Sequence, residues 1–377
     1  MKRIFYILIL SAFIFSCEKP ISEFQSRNFI KFFGSGFESK GNDVIELSDE
    51  TYFFTGYDNV KGTDYQIFAA KVDKNGNQVW SKTFGIYGIR EEGKIVKELS
   101  DGLLIAGTSL GSSGITHSFI MKTDVYGDSL WYKEFGDASI SIVVNDITLN
   151  ESSIFVAGQA VYAGNTKTDY YGAKLDLSGD KVWNVVTFFR NTNSTFKKIF
   201  LEGENILFIG TDGNENIYKR SIVTCKQSDG LSLDFENSET VNEIVADASL
   251  VEDQLFILTN VQDSMQLSKL NSSHIEEWKT EMISPVTGKT FVYNEDGTLL
   301  IFAETAEDGT TLINTIKVDA GGSTEYGAQS FRTFPGTIGK AIQTNDKGVI
   351  FVGTTNPTFG ANVQLVKTDK DLFLLKP

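Results

Sequence analysis

Lysine and aspartate recur two residues apart along this chain, as Lys71/Asp73, Lys122/Asp124, Lys174/Asp176, Lys317/Asp319 and Lys367/Asp369. Pairs of this kind could hold an ion, and Asp73-Lys74-Asn75-Gly76-Asn77 superficially matches the start of a calcium loop. The long spacing to a bidentate glutamate is missing, however, and Trp80 arrives where a helix should begin. A turn explains the pattern better: the aspartate accepts backbone N–H groups and the glycine that follows takes a positive φ. Only two histidines are present, His117 and His274, so a histidine-based metal site is not expected. Nothing matches a nucleophile elbow, a phosphate-cradling glycine loop, a zinc spacing or a paired-carboxylate motif. No catalytic residue, metal or cofactor is therefore assigned. A carboxylate pair formed only in three dimensions stays open, because acidic residues are plentiful.

The elements that would position these residues form a repeat. KVDKNGNQVWSKTFG (71–85), IMKTDVYGDSLWYKEFG (120–136) and AKLDLSGDKVWNVVTFF (173–189) are versions of one phrase, with Trp80, Trp131 and Trp183 spaced by 51 and 52 residues. Trp278 ends a related phrase. Before each phrase runs an apolar strand ending in a small residue: Gly56, Gly107, Gly158, Gly210, Thr259, Ala303 and Gly353, with steps of 51, 51, 52, 49, 44 and 50. Each unit divides into four short strands rich in Val, Ile and aromatics, bounded by Gly, Asn, Asp or Ser. Seven such units predict an all-β, seven-bladed β-propeller of four-stranded antiparallel blades over residues 28–377. The last unit lacks its final phrase, and NFIKFFGSG (28–36), with Phe32 near the tryptophan place, resembles the missing piece. It is expected to complete the last blade and close the ring. The tryptophans are expected to pack between blades rather than to bind a ligand.

Counting back 12 to 14 residues from each small residue reaches Asp43, Lys94, Asp146, Lys198, Asp247, Lys289 and Lys340. These should ring the axial channel with largely alternating charge, linking neighbouring blades by partly desolvated ion pairs. An ion or sugar site at the channel mouth is the functional alternative. A binding face is expected on the variable loops 57–64, 111–117, 162–170 and 356–360 and the connections between blades. Its candidate residues are Tyr57, Tyr87, Arg90, Glu91, His117, Tyr162 and Tyr170, in loops whose Tyr, Asn and Gly content suits adaptable contacts.

The formal net charge of −15 disfavours nucleic acid and anionic lipid surfaces. Residues 1–16 read as a signal peptide, with Lys2 and Arg3 ahead of an apolar run too short to span a membrane. The run ends at Ile14-Phe15-Ser16-Cys17, which resembles a lipobox and implies lipidation of Cys17. Its removal makes the charge −17. Residues 17–27 would then be a polar tether to the membrane, and Cys225 would have no disulfide partner.

The repeat phrase, with its Asp-Gly turn and strand ending in Ala-Gly, resembles propeller repeats of Bacteroidota-type cell-envelope lipoproteins. It is similar, more distantly, to quinoprotein-like repeats and to the propeller lipoprotein of the outer-membrane barrel-assembly machine. The likeness weakens in unit four, where Cys225 and Phe235 fall near the lysine and tryptophan places, and in unit six, with Tyr326. The resemblance implies an outer-membrane lipoprotein; the lipid tether, the regular repeat and the absence of site motifs point to a monomeric, non-catalytic propeller that binds a protein or a glycan in the cell envelope. The rivals are a scaffolding factor in outer-membrane assembly and an enzyme (hydrolase, lyase or quinoprotein) with a site at the channel. A propeller motif specifies fold rather than chemistry.

Overall fold

A computed structural model describes residues 28–374 apart from 63, 111–114, 137–138, 188–191, 215–216, 263, 284–285, 326–331 and 356–359. Cys17, the leader and the tether lie outside the described residues, as does Tyr326. The strands pair as seven four-stranded antiparallel sheets, each except the last built from strands consecutive in the chain. The innermost strands of blades 1 to 7 are Ser39–Glu46, Arg90–Leu99, Ile140–Leu149, Thr195–Glu202, Glu243–Val251, Thr287–Tyr293 and Thr337–Gln343. Because strand direction alternates, the two hairpins of a blade lie at one end of the ring. The loops between second and third strands lie at the other end, with the connections between blades.

The core lies between blades. Val44, Phe54 and Val72 of blade 1, for example, pack with Ile350, Val352 and Leu365 of blade 7. Each sheet thus buries both faces against its neighbours, so its middle strands are apolar throughout rather than alternating.

Phe29–Phe33 is the outermost strand of blade 7 and pairs antiparallel with Val363–Thr368, which closes the ring. Within it the residue opposite Lys367 is Phe29, just as Trp80 lies opposite Lys71 and Trp131 opposite Lys122. Phe29 is therefore the tryptophan equivalent and is buried, whereas Phe32 is 61% exposed. The three-residue offset arises because the strand is a separate piece of chain, with no hairpin to set its register. In blade 4 the matching pair is Thr224 and Asp234, not Cys225 and Phe235, since the loop between second and third strands varies in length from blade to blade and shifts the count by one.

The Lys-x-Asp phrase forms a turn. Asp73 Oδ1 accepts the N–H groups of Asn75 and Asn77, both at 2.8 Å, and Asp124 accepts those of Tyr126 at 2.9 Å and Asp128 at 2.8 Å. The turn glycine then receives the tryptophan of the preceding blade. Gly127 has φ +80°, and a Cβ there would sit 2.9 Å from the Trp80 ring, whose Nε1–H donates to Val125 O at 3.2 Å. At the closure the same contact joins Gly76 to Phe29, 2.7 Å from where a Cβ would lie.

Candidate functional site

Each of the seven innermost strands carries a β-bulge at the same place. The inserted residues are Asn42, Lys94, Asn145, Lys197, Ala246, Lys289 and Gly339. The residues after them are Asp43, Ile95, Asp146, Lys198, Asp247, Thr290 and Lys340. All fourteen line one axial cavity of about 300 Å³, joined by Lys40, Glu92 and Ile338. Bulges kink a strand and re-aim its side chains. Here they turn both residues of each pair toward the axis.

The bulge also accounts for the small residue in the second strand. A Cβ on Gly56, Gly107, Gly158, Gly210 or Gly353 would collide with the backbone oxygen of Lys40, Glu92, Val143, Thr195 or Thr337 respectively. The repeated glycine thus marks the close approach that the bulge forces.

The structure brings Asp43, Lys94, Asp146, Lys198, Asp247, Lys289 and Lys340 into this cavity, but in two tiers rather than one ring. Lys94 and Lys289 occupy the bulge tier; the other five occupy the tier beyond it. Residue counting merges the tiers because the distance from bulge to second strand differs between blades.

In the second tier the aspartates of blades 1, 3 and 5 join each blade to the next through backbone. Asp43 accepts the N–H of Val44 at 3.0 Å and of Val96 in blade 2 at 2.9 Å. Asp146 accepts those of Ile147 at 3.0 Å and Ile199 in blade 4 at 3.3 Å. Asp247 accepts those of Ala248 at 3.0 Å and Phe291 in blade 6 at 3.4 Å, with the Thr290 hydroxyl at 2.6 Å.

Ion pairing concentrates on one of the three. Lys198 lies 3.1 Å from Asp247 Oδ1, and Lys340, two blades away, donates to its Oδ2 at 2.7 Å. Burial alone would raise the Asp247 pKa, but the two ammonium groups outweigh it and hold the carboxyl below its usual range. Among the described residues no ammonium group pairs with Asp43, and burial pushes its carboxyl up. The charges therefore do not link neighbours around a full ring, since an odd number of blades cannot alternate to closure and Lys340 reaches across to Asp247.

The seven candidate face residues are dispersed by burial. Glu91 is 2% exposed and accepts the Ile86 N–H at 2.7 Å. Tyr170 is 1% exposed, stacks on Phe196 at 4.3 Å and donates to Ser221 Oγ at 2.6 Å. Both are interior, as their apolar or paired surroundings require. Tyr57 is buried as well, its hydroxyl donating to Glu38 at 2.6 Å. Tyr162 is half-buried, and His117 lies 3.9 Å from Glu134. Arg90 and Tyr87 are exposed and lie close together in the chain, where blade 1 passes to blade 2. The Arg90 guanidinium lies 4.4 Å from the centre of the Tyr65 ring, and Tyr65 donates to Glu38 at 2.8 Å. The Lys61 ammonium lies 5.7 Å from the centre of the Tyr87 ring. Phe37, which residue counting did not single out, lies over Gly62 and is 57% exposed; Ile86 is 63% and Tyr87 73% exposed. Phe37 falls between the closing strand and the first blade, where no repeat phrase points to it.

Among the described residues no group of three or more His, Cys, Asp and Glu could hold a metal. Cys225 is buried and unbridged, its thiol pushed up to about 11 by burial, which removes the thiolate a nucleophile needs.

No family model matches the chain, and no curated protein matches it. Solved structures do. The propeller domain of Cps50 (Swd1) from Myceliophteria thermophila is similar over 90% of this chain and 99% of its own, at 11% identity and a TM-score of 0.56. The Dos1 propeller is similar over 89% of this chain and 94% of its own, at 8% identity and a TM-score of 0.52. At these identities the likeness shows the fold alone. It corrects the expected membership among Bacteroidota-type envelope lipoproteins, and with it the lipoprotein character and outer-membrane location: the matched propellers are fungal proteins, not bacterial envelope proteins. The repeat phrase records turn and docking geometry, which any propeller of this build requires, and so misleads about kinship.

Proposed function

We propose that this protein is a non-catalytic binding propeller that docks a protein partner on the end of the ring carrying Phe37, Ile86, Tyr87 and Arg90. The observation that carries this reading is the set of exposed apolar and aromatic residues at this end, with Arg90 held against the hydrogen-bonded tyrosines Tyr57 and Tyr65. Exposed aromatics beside an arginine have the composition of energetic centres in protein interfaces. A rigid support lowers the ordering cost of docking. The −15 charge favours a partner with a basic rim over a nucleic acid.

A photo-crosslinker at position 87 is expected to trap one defined protein in cells, and one at Tyr126, on the hairpin end, is expected not to. Replacing Phe37, Ile86 and Tyr87 by serine should abolish crosslinking from position 90 while leaving the thermal midpoint within about a degree, since exposed sites carry little stability. Equal trapping from both ends of the ring, or retention of the variant on a polysaccharide gel with no protein trapped, overturns the proposal.

A further inference from the structure

The charged residues of the bulge tier are all cationic. Lys94, Lys197 and Lys289 come from blades 2, 4 and 6, and the other four bulge residues are Asn42, Asn145, Ala246 and Gly339. The two asparagine amides are engaged. Asn42 Nδ2 donates to Glu92 at 2.8 Å and to Gly93 O at 2.7 Å, and Asn145 Nδ2 donates to Phe196 O at 2.9 Å. Glu304 holds Lys289 at 3.1 Å. Among the described residues neither Lys94 nor Lys197 makes an ion pair, although both line the cavity. Of the carboxylates that line the cavity, Glu92 lies 3.1 Å from Lys40 and also attracts Lys94, Asp247 takes Lys198 and Lys340, and Asp43 and Asp146 accept backbone N–H groups.

We infer that the channel mouth binds a compact tetrahedral oxyanion, a phosphate or sulfate group, between Lys94 and Lys197 with Lys289 at its edge. Lysines brought to one cavity from alternate blades suit a ligand that accepts on several sides. Lysine acts as a point charge and does not offer the planar fork that arginine presents to a carboxylate. Burial and the charges of Lys198, Lys94 and Lys289 lower the Lys197 pKa against the pull of Asp247, a repulsion that a bound anion relieves. The overall negative charge keeps long polyanions away, while the cavity of about 300 Å³ admits a small group that comes within the lysines' local field. This site is separate from the docking face and does not depend on it.

Calorimetric titration of the whole protein with inorganic phosphate, against chloride at matched ionic strength, tests the inference. Saturable binding to phosphate and sulfate alone is expected, with affinity falling at least about tenfold, or ~1.4 kcal/mol, in K94Q/K197Q. Without phosphate that variant should melt above the wild type, because it loses uncompensated like charges. Glucose 6-phosphate and a sulfated disaccharide, run beside the inorganic ions, distinguish a free anion from a substituted sugar as the source. Heat indistinguishable from chloride, an unchanged affinity in the variant, or a variant less stable than wild type without phosphate would each overturn the site.

Discussion

Asp247 is the residue on which the channel turns, because a carboxylate 2% exposed serves two ammonium groups, a hydroxyl and two backbone N–H groups. Removing one partner of a buried ion pair strands the others without water. Asp247→Ala is therefore expected to cost about 3–5 kcal/mol in urea unfolding. Asp146→Ala, which leaves only backbone donors unmet, should cost about 1–3 kcal/mol. The pH dependence follows from the depressed carboxyl. Its folded pKa lies below the ordinary 3.8, so the unfolded chain takes up the proton first. The stabilisation is complete above that ordinary value and drains as pH falls below it toward the folded pKa. Urea midpoints measured from pH 7 to pH 3 should drop on the acid side in the wild type and flatten there in Asp247→Asn. At this scale the repeat leads to seven of the charged residues that line the cavity and misses Lys40, Glu92 and Lys197. It does not show their tiers, nor that one aspartate collects both lysines, since pairing across the channel has no spacing along the chain.

The strand and its hairpin are legible where local chemistry repeats. Asp73 and Asp124 announce the turn, Trp80 and Trp131 the docking contact, and Gly56 and Gly107 the close approach beside the bulge. The closing strand has no such frame, so FIKFF offers three phenylalanines and only pairing with Val363–Thr368 selects Phe29. Two substitutions in this element should then differ sharply. Phe29→Ala empties the contact with Gly76 and Tyr52 and should destabilise by about 3–5 kcal/mol. Phe32→Ala, at an exposed site, should stay within about 0.5 kcal/mol in the same urea experiment. A large effect at Phe32 and none at Phe29 would show the register to be wrong. Glu91 and Tyr170 misled for a related reason: they stand beside loops in the chain, yet their side chains turn inward to fill the space between blades.

The ring as a whole depends on its seam. Without residues 28–36 the strand Val363–Thr368 becomes an open edge, and open edges pair with other chains. Truncation to residue 37 is expected to produce dimers or larger species in light scattering and to broaden the calorimetric transition; adding the 28–36 peptide should reverse both. A monomer with unchanged cooperativity would mean that the seam contributes little. From sequence alone come the number of blades, their four strands, the turn that ends each phrase and the closure by a detached segment, because each is written in contacts between residues near in the chain or repeated at a fixed period. The two-tier channel, the packing of Phe37 over Gly62 and the burial of three of the seven candidate face residues were decided only in the folded ring. They join side chains from different blades, and nothing along the chain measures the distance between those.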